Sequence, residues 1–230
     1  MQFYAKARKN MVDCQIHTSG VAHAKLLETF ETVPREKFVP SSYQDVSYLG
    51  EDLILNDGRF LLEPATHARM VEALELNEDS YVLDLSVSGG YSAAVLSPLV
   101  TTVVAIDPKK PHLDQAQNVW DEIEATNICG FKGRLDKGWA EDGPYSHIFV
   151  SGAVSEMPED LIAQLQPGGK MILVLKEKGQ QFGQVRLVRR GLSQDNNDQP
   201  EGEIEYSSVS LFESACPYLP GFEPEDRFSF

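Results

Sequence analysis

The sequence predicts an α/β fold built on a doubly wound, mostly parallel sheet, and three observations carry that expectation. Apolar runs of strand length, such as Tyr81 to Leu85 and Thr101 to Ile106, alternate with segments of helical pattern. One of these strands runs straight into a glycine-containing turn and a helix rich in small apolar residues, Val82 to Ser97, the layout that grips a nucleotide-like cofactor. The following strand ends in Asp107, roughly 20 residues beyond the turn, the spacing at which a carboxylate takes both hydroxyls of a ribose.

Phe3 to Thr18 and Ala22 to Val33 read as two helices, and the run Val33 to Pro40 breaks their pattern with two prolines, so the N-terminal region forms a helical cap. From Pro64 the expected order is a helix, strand Tyr81 to Leu85, helix Tyr91 to Leu99, strand Thr101 to Ile106 and helix Pro111 to Glu124. Strands Phe131 to Leu135 and Ser146 to Val150, helix Pro158 to Leu165 and strand Lys170 to Leu175 follow. Gln184 to Arg190 and Glu203 to Phe212 read as an antiparallel ending joined by the polar loop Ser193 to Glu203.

The turn itself departs from G-x-G-x-G, because it reads Ser86-Val87-Ser88-Gly89-Gly90. A serine in a left-handed conformation carries a Cβ that costs roughly 1–2 kcal/mol, so the loop is expected to change shape and to narrow any cofactor pocket. An ordinary strand-to-helix turn with no ligand is the alternative. For Asp107 the alternative is a helix cap, since Asp107-Pro108 opens the next helical segment.

A chain of 230 residues suits one domain, 1–230, with an N-terminal cap and substrate-side segment at 1–64, a core at 65–190 and a strand and tail at 191–230. A formal charge of −15 opposes nucleic acid and anionic membranes as partners. No apolar run has the length of a signal peptide or membrane span, which points to the cytoplasm. Cys14, Cys129 and Cys216 form no C-x-x-C pair, and the five histidines show no metal-binding spacing, so no metal is expected.

Met11 to Ile16 (MVDCQI), Val33 to Pro40 (VPREKFVP), Gly58 to Pro64, Val82 to Leu96 and Leu161 to Lys170 (LIAQLQPGGK) together resemble protein-L-isoaspartate O-methyltransferase, in that order. The tail Pro217 to Phe222 (PYLPGF) is similar to the family's ending. The resemblance implies a methyltransferase fold of the S-adenosylmethionine-dependent, Rossmann-like type, with that cofactor bound by Asp84, Ser86, Ser88, Gly89, Gly90, Asp107 and Asp136. Asp84 would support the turn, Asp136 would approach the adenine, and Ser151-Gly152-Ala153 would form a pocket wall. The implied partner is an isoaspartyl-containing protein or peptide, whose free carboxylate receives the methyl group. That carboxylate is already ionised at neutral pH, so the reaction asks for alignment rather than a general base.

The family holds the acceptor with a segment of the form GQTISQP, which here is Gly58-Arg59-Phe60-Leu61-Leu62-Glu63-Pro64. Phe60 stands for the threonine and Leu62 for the serine. In an extended segment alternate residues share a face, so Phe60 and Leu62 would set an apolar surface against the carboxylate. Glu63 adds a like charge. Arg59 is a substitute carboxylate ligand if it faces the site, although alternation points it away, toward an ion pair with Asp57 or Glu63. These substitutions predict impaired or absent isoaspartyl methylation. The open alternatives are a non-catalytic binding protein on a methyltransferase fold and a methyltransferase for another acceptor. Phe222, Phe228 and Phe230 read as core packing or as an interaction patch.

Overall fold

The N-terminal region is helical, as its pattern predicts. In the computed structural model, which describes residues 2–192 and 204–225, α1 (Gln2–Met11) continues as a π-turn over Val12–Ile16 and a 3₁₀ turn over His17–Ser19. Helix α2 (Ala24–Thr32) follows, and Val33 leaves it in an extended conformation ahead of a 3₁₀ turn at Arg35–Phe38. A two-stranded antiparallel ribbon then forms from β1 (Leu53–Ile54) and β2 (Phe60–Leu61). Helix α3 (Pro64–Ala73) starts at a proline, whose missing N–H is one that the first turn leaves unpaired.

The remaining elements are β3 (Tyr81–Leu85), α4 (Tyr91–Leu96), β4 (Thr102–Asp107), α5 (Lys110–Glu122), β5 (Ile128–Lys132), β6 (Tyr145–Val154), α6 (Glu159–Ile162), β7 (Leu165–Leu175), β8 (Gly183–Arg190) and β9 (Tyr206–Ser214). Seven strands make one sheet in the order β5-β4-β3-β6-β7-β8-β9. Neighbours from β5 to β7 pair in parallel, and β8 and β9 add antiparallel strands at one edge. This is the expected architecture. The central strands are buried on both faces, with Val82, Leu83, Leu85 and Ile148 fully covered. Every residue of α4 is buried, and its small side chains let it lie close to the sheet.

Several boundaries differ from the sequence expectation: α4 gives way to a 3₁₀ turn at Ser97–Leu99, and β9 runs on past Phe212 to Ser214. Strand β5 starts three residues before Phe131, and Leu135 belongs to a 3₁₀ turn beyond it. Strand β6 runs through Ser151-Gly152-Ala153 to Val154 instead of ending before them. Helix α6 is one turn long, and Gln166-Pro167-Gly168-Gly169 lies inside β7, where its pairing with β6 shifts register. The tail Pro217 to Phe222 lies along the end of β6: Ala153 donates to the Pro217 carbonyl, Leu219 to Ala153, and Ser155 to Phe222. Phe222 is buried there, whereas Phe228, Phe230 and the polar loop 193–203 lie outside the described residues.

Candidate cofactor and acceptor site

The turn after β3 sits at the carboxyl end of the sheet, beside the point where strand order reverses between β3 and β6. Gly89 and Gly90 carry its positive φ values, 68° and 92°, and Ser86 and Ser88 do not adopt positive φ. The serines therefore carry no left-handed strain, which corrects the expected cost. Their hydroxyls close a hydrogen-bonded ring instead. Ser86 Oγ and Ser88 Oγ lie 2.9 Å apart, Ser92 N donates to Ser88 Oγ at 3.0 Å, and Ser92 Oγ donates to Asp84 Oδ1 at 2.7 Å. Asp84, Ser86 and Ser88 are brought together as predicted, but they satisfy one another. Burial pushes the Asp84 carboxyl up to about 7, against the hydrogen bonds from Ser92 and Ser86 that lower it.

Asp107 ends β4 and faces the same turn across a crevice lined by Asp84, Ser86, Gly90, His112, Ala116 and Trp120. Its helix-cap reading is met in part, since Lys109 is the N-cap residue of α5 and Asp107 bonds that residue's N–H. Its Oδ1 accepts from Lys109 N at 2.7 Å, occupying a donor at the start of α5, and lies 3.4 Å from His112 Nδ1. Burial raises its pKa above the ordinary carboxylate value. The crevice has about 10 Å³ of open volume, room for about one water molecule. Trp120 fills it: the indole is 1% exposed and its Nε1 donates to the Gly90 carbonyl at 2.9 Å. A Cβ on Gly90 would lie 2.6 Å from Ala116 Cβ and 2.9 Å from the indole. Gly90→Ala is therefore expected to cost about 2–4 kcal/mol, read as a fall in the denaturant midpoint at constant m-value.

The acceptor segment departs from alternation. Arg59, Phe60, Leu61 and Leu62 are all buried, because only Phe60–Leu61 is strand and the chain is covered on both sides. A Cβ on Gly152 would meet Phe60 Cζ at 2.9 Å and Leu219 Cγ at 2.6 Å, so Phe60 closes the space between β6 and the C-terminal tail. Arg59 points neither to solvent nor to Glu63. Its Nε and Nη2 reach Asp57 Oδ2 at 2.9 and 2.7 Å, and its Nη1 would lie 2.6 Å from a Cβ on Gly89. The guanidinium thus lies over the glycine turn. Glu63 stands at the N-cap position of α3 without a side-chain capping bond; its carboxylate accepts from the Thr66 hydroxyl, and its N–H donates to Asp52.

Asp136 stands apart from this group. Arg134 grips its carboxylate through Nε and Nη2, holding its pKa below the ordinary value, and Gly221 of the tail packs over it. Sequence reasoning passed over Trp120, His112 and Arg35. The first two sit on the buried side of α5, where helical periodicity marks Ala116 and Trp120 as core. Arg35 is fully buried; its Nε donates to the Ser47 carbonyl at 2.6 Å and its Nη2 to that of Leu62 at 2.8 Å. Its guanidinium lies 4.9 Å from the Tyr91 ring centre.

Residues 6–206 match the model of the family Protein-L-isoaspartate(D-aspartate) O-methyltransferase (PCMT). A protein-L-isoaspartate O-methyltransferase of Trichlorobacter lovleyi is 34% identical over 175 residues, 76% of this chain and 81% of that one. Its counterpart in Photobacterium profundum is 35% identical over 171 residues, 74% and 81% of the two chains. A solved protein-L-isoaspartate O-methyltransferase superposes with a TM-score of 0.75 at 23% identity, over 93% of this chain and 66% of that one. A Plasmodium falciparum chain solved in complex with S-adenosyl-L-homocysteine gives a TM-score of 0.68 at 16% identity, over 91% and 96%. These two structures share the fold described above. With nearly nine-tenths of its length matched in sequence, the chain belongs to the protein-L-isoaspartate O-methyltransferase family.

Proposed function

We propose that this chain is a member of the family impaired in isoaspartyl methyl transfer, a protein that keeps the methyltransferase fold for binding. The observation that carries this reading is the crevice between Asp84, Gly90, Asp107 and Trp120, which the chain's own side chains fill to within about 10 Å³. S-adenosylmethionine is the methyl donor to which the family points, and its demethylated product S-adenosyl-L-homocysteine is held by one of the structural neighbours. Some groups suit that cofactor. Asp107 ends the strand at a ribose-binding position, and the positive φ of Gly89 and Gly90 lets a ligand approach the backbone.

The volume does not suit it. A site that covers a ligand of nucleoside size needs several hundred Å³. The Trp120 indole, the Asp107–His112 contact and the Arg59 guanidinium occupy the approaches to the turn, and the serine ring spends its hydroxyls internally. The residues present do not fit the group in this arrangement.

The acceptor side supports the same reading. Phe60 and Leu62 are buried and have no hydroxyl, so a carboxylate brought against them would lose water without gaining hydrogen bonds, at a cost of several kcal/mol. A single domain spanning 1–230 and a cytoplasmic location belong to the same proposal; among the described residues no helix is long and apolar enough to cross a membrane. Incubation with methyl-labelled S-adenosylmethionine and an isoaspartyl peptide is expected to give base-labile methyl ester only at the level of a no-enzyme control. Ester formation at a rate comparable with an active relative would overturn the proposal.

A further inference from the structure

A second hollow opens on the outer side of the same turn. It holds about 620 Å³, within the range of small-ligand sites, between the Phe38-Val39-Pro40 segment and α5. Arg59 and Gly89 line it, and His112 lines both it and the filled crevice.

Three features give it ligand-binding chemistry. The Arg59 side chain is only 7% exposed and is fixed from two directions, by Asp57 and by the glycine that leaves room for it. A guanidinium held in place before binding loses little further freedom when it meets an anion. Its Nη1 forms no hydrogen bond among the described residues, because Asp57 takes Nε and Nη2. The opposite wall presents Gln115 and Asn118, three apart on one face of α5, and neither side-chain amide has a partner among the described residues. Phe38, Val39 and Pro40 supply an apolar wall between them.

We propose that this cleft binds a small aromatic oxyanion, a flat ring bearing a phosphate or a carboxylate. The anion meets Nη1 of Arg59, the ring lies along Phe38 to Pro40, and the ring's polar edge faces Gln115 and Asn118. Asp57 also lines the cleft and holds Nε and Nη2, so the guanidinium meets the incoming anion through Nη1 and bridges two anions through separate nitrogens. This inference concerns the outer cleft and does not depend on whether the inner crevice admits a cofactor.

The test is titration of the whole protein, followed by calorimetry, with adenosine monophosphate and with 4-hydroxybenzoate, and with adenosine and phenol as uncharged counterparts. At least one oxyanion is expected to bind with a Kd below about 1 mM, and its uncharged counterpart at least roughly tenfold more weakly. Binding of the phosphate alone or of the carboxylate alone identifies the anion. Arg59→Gln is expected to weaken binding at least roughly tenfold. The surface pair Gln115→Ala and Asn118→Ala, which leaves the core untouched, is expected to weaken it severalfold. Absence of binding by both oxyanions at millimolar concentration would overturn the proposal, as would binding that Arg59→Gln leaves unchanged in a protein with wild-type thermal midpoint. Should Arg59→Gln unfold the chain, the surface pair decides: undiminished binding in that variant overturns the assignment. S-adenosyl-L-homocysteine in a parallel titration reports on the inner crevice, so the two readings fail separately.

Discussion

Arg35→Ala is expected to destabilise the protein by about 3–5 kcal/mol, among the largest effects of any single substitution in the chain. The guanidinium is fully buried and ties the Ser47 and Leu62 carbonyls, which come from two segments that share no regular secondary structure. Truncation leaves both carbonyls without a donor, at roughly 1–3 kcal/mol each, and removes the packing on Tyr91. Arg35→Lys is expected to recover only part of the loss, because one ammonium cannot span both acceptors with the planar fork's geometry. Chemical denaturation followed by tryptophan fluorescence measures both. A loss under about 1 kcal/mol for Arg35→Ala would show that the acceptor segment is held by other contacts.

Asp84→Asn is expected to change the pH dependence of stability by up to about 4 kcal/mol between pH 4 and pH 8. Burial raises the folded carboxyl from 3.8 to about 7, so the native state binds this proton more tightly than the unfolded chain does. The resulting stability is fully present below about pH 3.8, is lost as pH rises, and is gone above about pH 7. Asparagine removes the titration while keeping an oxygen for the Ser92 hydroxyl. The variant should therefore gain on the wild type as pH rises through this window. His67 and His147, pushed down by burial to about 3 and about 4, act in the opposite sense below pH 6.5. They titrate in both proteins, so their effect cancels in the comparison. Parallel stability curves would mean that Asp84 is solvated.

The central β3-turn-α4-β4 unit was legible in the sequence because its strands are buried on both faces and its helix is buried all round, so continuous apolar runs mark them. Strand β5 was misplaced for the converse reason. At the sheet edge only Ile128 of Ile-Cys-Gly-Phe-Lys is buried, and the apolar Leu135 drew the expected strand beyond its end. Residue type named the serines of the turn but not their backbone conformation, which places positive φ at Gly89 and Gly90 alone. For Arg59 the sequence offered the ion pair with Asp57 that the structure shows, but it could not place the guanidinium over the glycine turn, because β2 is two residues long and alternation has meaning only along a strand. The closure of the crevice was out of reach: it depends on Trp120 meeting Gly90 across 30 residues of sequence, a contact that periodicity marks only as core.

The most direct measurement is isothermal titration of the protein with S-adenosylmethionine and S-adenosyl-L-homocysteine. A crevice filled by Trp120 and closed by Asp107 and His112 predicts no saturable heat with either compound up to millimolar concentration. Stoichiometric binding at micromolar concentration would contradict that closure, showing that the turn opens to the cofactor and that Ser86 and Ser88 are compatible with holding it.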